Sequence, residues 1–103
     1  MPAELQPARS AIHAIAVELI RAAPPEEAAE MAWALACGAA VAERTRVLGV
    51  HDGILRVTAP DAHWRAQLAE FAPRYLAAIG RLWPQGEVKR IEVVDERQAS
   101  RNS

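Results

Sequence analysis

The residues that could carry out catalytic chemistry are few and widely spaced in this chain. Serine occurs only near the two ends, at Ser10, Ser100 and Ser103. A serine nucleophile needs a base held beside it, and the histidines, at positions 13, 51 and 63, lack the spacing of zinc ligands. The five glycines are isolated, so a glycine-rich phosphate loop is absent. These patterns predict a protein that is not an enzyme and uses no metal, cofactor or small-molecule substrate.

The cysteine content and the apolar segments indicate the cellular compartment in which the protein works. Cys37 is the single cysteine, which excludes an internal disulfide and favours a buried, inert thiol in a reducing compartment. The apolar stretch at residues 11–20 is interrupted by His13 and Glu18, unlike a signal peptide. The longest uncharged run, residues 31–42, has 12 residues, whereas a membrane-spanning helix needs about 20. We therefore expect a soluble, cytoplasmic protein with no membrane partner.

Charge is distributed unevenly, although the formal net charge is only −1. Residues 1–43 carry two arginines against six acidic residues, and residues 44–103 carry ten Lys and Arg against seven acidic residues. Nearly all of this positive charge comes from arginine, whose guanidinium group forms bidentate hydrogen bonds with phosphate. The alternative is a solvated charged face whose arginine content reflects a GC-rich genome. The candidate nucleic-acid-binding residues are Arg44, Arg46, Arg56, Arg65, Lys89 and Arg90.

The most distinctive local pattern is Asp52-Gly53 between two apolar segments. This dipeptide favours a two-residue hairpin turn, because both of its residues must adopt a positive φ. The turn determines which residues of the two strands face each other. The predicted pairs are Val50 with Leu55 and Leu48 with Val57. Since strand side chains alternate between faces, all four are expected to point into the core.

Two helices are predicted before this hairpin. The first covers residues 9–22, with Ser10 as its cap, and ends before Pro24-Pro25 because the residue preceding a proline resists the helical conformation. The second begins at Pro25 and runs to about residue 43. Gly38 lies inside it, where glycine is unfavourable by about 1 kcal/mol relative to alanine. We therefore expect Gly38 to permit the close approach of another element.

A third helix is predicted after Asp61, which can cap it. Its apolar residues recur every three or four positions as far as Leu82, and this stripe keeps its phase across Pro73. We therefore expect one kinked helix rather than two. A final strand is predicted over residues 88–94. The expected large core residues are Trp33, Leu48, Val57, Trp64, Leu68, Phe71, Tyr75, Leu82 and Ile91, whereas Trp83 is expected to be half exposed.

The order of these elements resembles the DciA family of bacterial replicative helicase loaders, over about residues 28–94. The matching residues are Trp33, Gly38, Val41-Ala42, Thr45, Gly53-x-Leu55-x-Val57, Trp64-x-x-x-Leu68, Gly86 and Ile91. The resemblance implies an α+β, K-homology-like fold, with helices on one face of a three-stranded sheet in αββαβ order, here with an extra N-terminal helix. The expected segments are an N-terminal amphipathic helix (1–23), the K-homology-like domain (24–94) and a frayed polar tail (95–103).

The resemblance also implies a role in DNA replication, as a non-enzymatic adaptor that binds the replicative helicase and single-stranded DNA. The Gly-x-x-Gly clamp of RNA-binding K-homology domains is absent, and only two cations follow Val94, so the DNA binding is expected to be weak. The alternative is a protein–protein interaction module that does not bind nucleic acid. Its surface would be the first helix, or the sheet face that bears Val47, Gly49, Ile54 and Thr58, unless the first helix covers that face.

Overall fold

The computed structural model describes the backbone of residues 2–97 and the side chains of residues 11–97. Its elements are α1 (Pro2–Ala22), α2 (Pro25–Cys37), α3 (Ala39–Ala42), β1 (Val47–His51), β2 (Ile54–Ala59), α4 (Ala62–Leu82), a 3₁₀ turn (Pro84–Gly86) and β3 (Arg90–Asp95). The predicted α+β class is confirmed. Of the predicted frayed tail (95–103), residues 98–103 lie outside the described residues, and the division of the chain into three segments stays a prediction.

The three strands form one mixed sheet in the order β1-β2-β3. β1 is antiparallel to β2, and β3 is parallel to β2 because α4 provides the crossover between them. α2 and α4 pack on one face of the sheet, which we call the inner face, and α1 packs mainly on α2 and α4. The strand residues of the inner face are Val47, Val50, Leu55, Val57, Ile91 and Val93. Helices on one face of a three-stranded sheet were predicted, and this arrangement is confirmed.

The hairpin turn is confirmed at Asp52-Gly53, whose φ angles are 53° and 78°. Val50 pairs with Leu55, as the turn predicts. Beyond that pair the predicted register is wrong, because Val57 does not pair with Leu48.

A β-bulge changes the register of β1. The pairing shifts between Val47 and Gly49, so that Val47 rather than Leu48 lies opposite Val57. Leu48 is the extra residue and is 41% exposed, which contradicts its predicted core position. Gly49 has a φ of 138°, a conformation that is open to glycine and that accommodates the bulge.

The first two helices differ from the prediction at their ends. α1 begins at Pro2, so Ser10 lies within the helix and its predicted role as a cap is wrong. The boundary before Pro24-Pro25 is confirmed. α2 ends at Cys37 instead of continuing to residue 43, because Gly38 adopts a φ of 89° and interrupts the helix. A Cβ on Gly38 would meet no atom within 4 Å, so this glycine provides a backbone conformation and not a close packing contact.

α4 begins and continues as predicted. The Asp61 carboxylate accepts a hydrogen bond from the Trp64 backbone N–H at 2.9 Å, which caps the helix. The helix passes Pro73 as a single element. Its stripe is less buried than expected, because Phe71 is 41% exposed, with its ring centroid 6.2 Å from that of Tyr75.

The core is built around two tryptophans. Trp33 is buried, and its indole N–H donates a hydrogen bond to the Thr45 hydroxyl at 2.9 Å. Trp83 is also buried, contrary to the prediction, because its ring lies against Gly86 in the turn that follows. The buried apolar residues that form the core are Ile20, Ala28, Ala29, Ala32, Trp33, Leu55, Val57, Ala59, Leu68, Ile79, Leu82 and Trp83.

Candidate nucleic-acid interface

The outer face of the sheet, which faces away from α2 and α4, brings two of the predicted cations together. Arg56 lies opposite Glu92 across the parallel pair, and Arg90 lies two residues before Glu92 on β3. Arg56 Nε is 3.0 Å from Glu92 Oε1, and Arg90 Nη2 is 3.7 Å from Glu92 Oε2. One carboxylate thus lies between two guanidinium groups, and all three side chains remain in part exposed to solvent.

A third predicted cation extends this group. The Arg46 carbonyl accepts a hydrogen bond from the Thr58 N–H at 2.8 Å, so Arg46 continues the β1–β2 ladder beyond Val47. Since Val47 points inward, alternation places the Arg46 side chain on the outer face. Its guanidinium pairs with Glu96 at 3.0 Å. The Arg46–Glu96 pair therefore spans β2 near Thr58, whose buried hydroxyl has no hydrogen-bond partner among the described residues.

Arg90, Arg56 and Arg46 form what we call the arginine row. Arg56 is the middle one of three successive outward positions of β2. Arg90 and Arg46 lie beside the other two, Ile54 and Thr58 respectively. Because a strand rises about 3.3 Å per residue, neighbouring arginines of the row are about 7 Å apart in the direction of the strands. The outer face thus presents guanidinium groups at regular intervals, which a flexible polyanion can follow.

The remaining three predicted cations do not belong to the arginine row. Lys89 is exposed beside the hairpin turn, where its backbone N–H donates to the Gly53 carbonyl at 2.7 Å. Arg44 is exposed in the turn between α3 and β1. Arg65 is exposed on α4, a helix on the inner side of the sheet. Lys89 therefore lies at the hairpin end of the sheet, whereas Arg65 lies away from the arginine row.

The carboxylates leave the row with a small net charge. Three guanidinium groups accompany two carboxylates, Glu92 and Glu96. Exposed ion pairs contribute only about 0–1 kcal/mol each, so a phosphate can displace a carboxylate at little cost. Each guanidinium has five N–H donors, and a single carboxylate cannot occupy them all. The arginine row can donate hydrogen bonds to phosphate oxygens while its ion pairs with the glutamates remain partly formed.

Sequence reasoning missed the two glutamates as members of this site. Both lie far from their partners in sequence, 36 residues for Arg56–Glu92 and 50 residues for Arg46–Glu96. Only the parallel pairing of β2 with β3 brings them together. The bulge had a local signal, because an isolated glycine inside a strand pattern, here Gly49, often marks one.

The sheet surface proposed for protein binding is partly wrong. Val47 packs against the core and not on the outer face, and Thr58 is buried. Gly49 and Ile54 do belong to the outer face, opposite Arg56 and Arg90 respectively. α1 packs mainly on α2 and α4, so it does not form a cover for this face.

The other reactive groups do not assemble into a second site. Burial raises the pKa of the Cys37 thiol to about 11, which keeps it protonated at neutral pH and unreactive as a nucleophile. Within residues 11–97, His, Cys, Asp and Glu side chains form no group of three or more that could hold a metal ion. Every helix in the described part of the chain is too short or too polar to cross a bilayer.

Comparison with known proteins assigns a family to this arrangement. The family model described as "Dna[CI] antecedent, DciA" matches residues 10–93, which include every element from the middle of α1 to β3. Among curated proteins no match is found. The match covers most of the chain, and the chain therefore belongs to the DciA family, whose general role is the loading of the replicative helicase in DNA replication.

Proposed function

We propose that this protein is a helicase loader that binds the replicative helicase and holds single-stranded DNA on the outer face of its sheet. The observation that supports DNA binding is the arginine row, which lies on the sheet face opposite α2 and α4 and whose side chains are in part exposed to solvent. Lys89, at the hairpin end, adds a further positive charge. Phosphate contacts of this kind supply affinity without reading sequence, as a loader that acts on any single strand requires.

In this proposal the DNA backbone competes with the protein's own carboxylates. Glu92 shares its two oxygens between Arg56 and Arg90, so neither guanidinium is fully engaged. A phosphate that replaces Glu92 on one arginine releases a counterion and leaves the other pair intact. The expected binding is therefore weak at physiological salt and strong at low salt.

Replacing Arg56 and Arg90 together by glutamine should weaken binding of a labelled oligonucleotide at low salt. Each lost phosphate contact lowers the slope of log affinity against log salt by about 0.7 for single strands, so the slope should fall by about 1.4. Fluorescence anisotropy titrations at several salt concentrations measure both quantities. The matched control is the double variant Arg65→Gln, Arg74→Gln, which removes the same two positive charges from exposed positions on α4 outside the arginine row.

Glu92→Gln should have the opposite effect in the same titrations. It frees both arginines and removes a negative charge from the DNA path, so affinity should rise at every salt concentration. If the Arg56, Arg90 double variant binds DNA like its control and Glu92→Gln binds DNA like the wild type, the outer face is not the DNA-binding surface.

The proposed helicase binding is tested by complex formation with the replicative helicase and by an unwinding assay. The purified chain, mixed with the replicative helicase of the same organism, should be recovered in a complex and should increase unwinding of a forked duplex. We expect the Arg56→Gln, Arg90→Gln double variant to retain the helicase complex and to lose part of the stimulation. Absence of both complex and stimulation in the wild-type protein would contradict a loader function.

A second candidate is an adaptor that binds the helicase without touching DNA. Internal pairing favours it, because all three members of the arginine row already contact Glu92 or Glu96. The two candidates differ in one measurement. The adaptor predicts a helicase complex with no detectable oligonucleotide binding even at low salt, whereas the loader with a DNA surface predicts both.

A further inference from the structure

Four large aliphatic side chains of α1 and α2 lie exposed beside one another. On α1, Ile12, Ile15 and Leu19 are 67%, 59% and 57% exposed, and on α2, Leu35 is 54% exposed. The three α1 residues recur at helical spacing and form one stripe, whereas Ile20 on the other side of α1 is fully buried. The stripe borders an apolar groove of about 420 Å³ between α1 and α2. We call the stripe and the groove together the α1–α2 surface.

Within residues 11–97, this surface is left largely uncovered. α1 contacts α2 and α4, and its residues Ala16 and Ile20 pack on the core. Residues 98–103, which follow the described part of the chain, read Gln-Ala-Ser-Arg-Asn-Ser and contain no large apolar side chain that could cover it. Contiguous exposed apolar patches mark interaction sites. The exposed α1–α2 surface is therefore a candidate for an interface with another molecule.

The charges at the two ends of the surface are opposite in character. Only two residues join α1 to α2, so the end of α1 lies beside the start of α2. Glu18 lies at this end, in part neutralised by Arg21 at 3.4 Å, and so does Glu27 in the first turn of α2. The other end is basic because of Arg81, which lines the adjoining cavity of about 350 Å³.

We propose that the α1–α2 surface binds the same surface of a second copy of this chain, with the two α1 helices antiparallel. A two-fold axis near Ile15 places Ile12 opposite Leu19 of the other copy, so each stripe packs along the other's groove. The same rotation brings the acidic end of one copy to the basic end of the other. A symmetric dimer requires such a self-complementary surface, which contains both a ridge and a groove and carries opposite charges at its ends.

This dimer leaves the arginine row free. α1 packs on the helices that cover the inner face, whereas Arg46, Arg56 and Arg90 lie on the outer face. The inference is therefore independent of the proposed function.

Ile15→Glu should convert the dimer to a monomer. Sedimentation or light scattering of the wild-type chain should give twice the monomer mass of 11.2 kDa as concentration rises. The variant would bury two carboxylates near the axis without partners, which should weaken the dimer by about a hundredfold or more. Leu48→Glu is the matched control, because Leu48 is also exposed but lies on β1, and this variant should remain dimeric.

A charge exchange tests the orientation of the two copies. Glu18→Lys and Arg81→Glu, made separately, should each weaken the dimer by about threefold to tenfold, because two symmetric contacts become repulsive. The double variant restores opposite charges across the interface and should recover most of the loss. A parallel arrangement predicts no such recovery and would overturn the proposed geometry.

Two further results would overturn the proposal. One is a wild-type chain that stays monomeric at all concentrations. The other is a helicase complex that Ile15→Glu abolishes while the free chain is monomeric, which would assign the surface to the helicase. Far-ultraviolet circular dichroism and oligonucleotide binding of Ile15→Glu should match the wild type. These controls separate failure of the dimer from failure of the fold or of DNA binding.

Discussion

Replacing Trp33 by alanine should lower the free energy of unfolding by about 3–5 kcal/mol, the range for removing a large aromatic side chain from a core. Trp33 is buried among α2, α4 and β1, and its ring meets Tyr75 edge to face with centroids 5.4 Å apart. Its removal leaves a cavity at the centre of a small core and also deprives Thr45 of a hydrogen bond. Urea denaturation followed by circular dichroism measures the loss.

Trp33→Phe separates the two contributions. It keeps one aromatic ring in the core but removes the indole N–H and the second ring, so the loss should be smaller than for alanine. Thr45→Val should also be destabilising, by about 1–3 kcal/mol, because the buried indole N–H then has no acceptor. A cost below about 1 kcal/mol for Trp33→Ala, against that expected range, would contradict the packing described here.

The Trp33–Thr45 contact also links stability to the candidate site. The Thr45 hydroxyl donates to the Val41 carbonyl at 3.0 Å, so it ties the end of α3 to the residue preceding Arg46. Loss of this contact loosens the start of β1, where Arg46 enters the arginine row. We therefore expect destabilised variants at Trp33 to lose DNA affinity at temperatures well below their unfolding midpoint.

Gly86→Ala should destabilise the protein by about 1–3 kcal/mol, as is typical of overpacking in a core. A Cβ at this position would lie 2.5 Å from the Trp83 ring, and Trp83 is buried, so the ring has little room to move. Thermal unfolding followed by circular dichroism measures the shift.

Gly80→Ala is the matched control for this substitution. Gly80 is exposed inside α4, and a Cβ there would meet no atom within 4 Å. Because alanine is a better helix former by about 1 kcal/mol, this variant should be stabilised. Two glycine-to-alanine changes six residues apart should thus shift the melting temperature in opposite directions. Equal shifts would mean that Trp83 does not pack on Gly86.

Several features follow from interactions between near neighbours, and these were predictable. The Asp52-Gly53 turn depends on two backbone conformations, and the end of α1 depends on Pro24-Pro25. The start of α4 depends on a hydrogen bond between Asp61 and Trp64, three residues apart. The αββαβ order and the family likeness follow from such local signals, since together they determine where each helix and strand begins.

Other features depend on partners that are distant in the chain. The apolar stripe of α4 predicts a core position for Phe71 and a half-exposed position for Trp83, yet Phe71 is exposed and Trp83 is buried. Which of them reaches the core depends on how α4 and its following turn lie on the sheet. Gly38 was recognised as unusual, but only the backbone shows that it ends a helix and does not admit a neighbour.

The sequence by itself determined the elements, the hairpin turn, the family and the set of cations, because each rests on residue type and short-range spacing. Only the tertiary structure decided that Arg46, Arg56 and Arg90 share one face with Glu92 and Glu96, and that the apolar stripe of α1 stays exposed. The physical reason is that strand register and helix packing are set by the whole core, where a single bulge at Leu48 reverses the direction of a side chain.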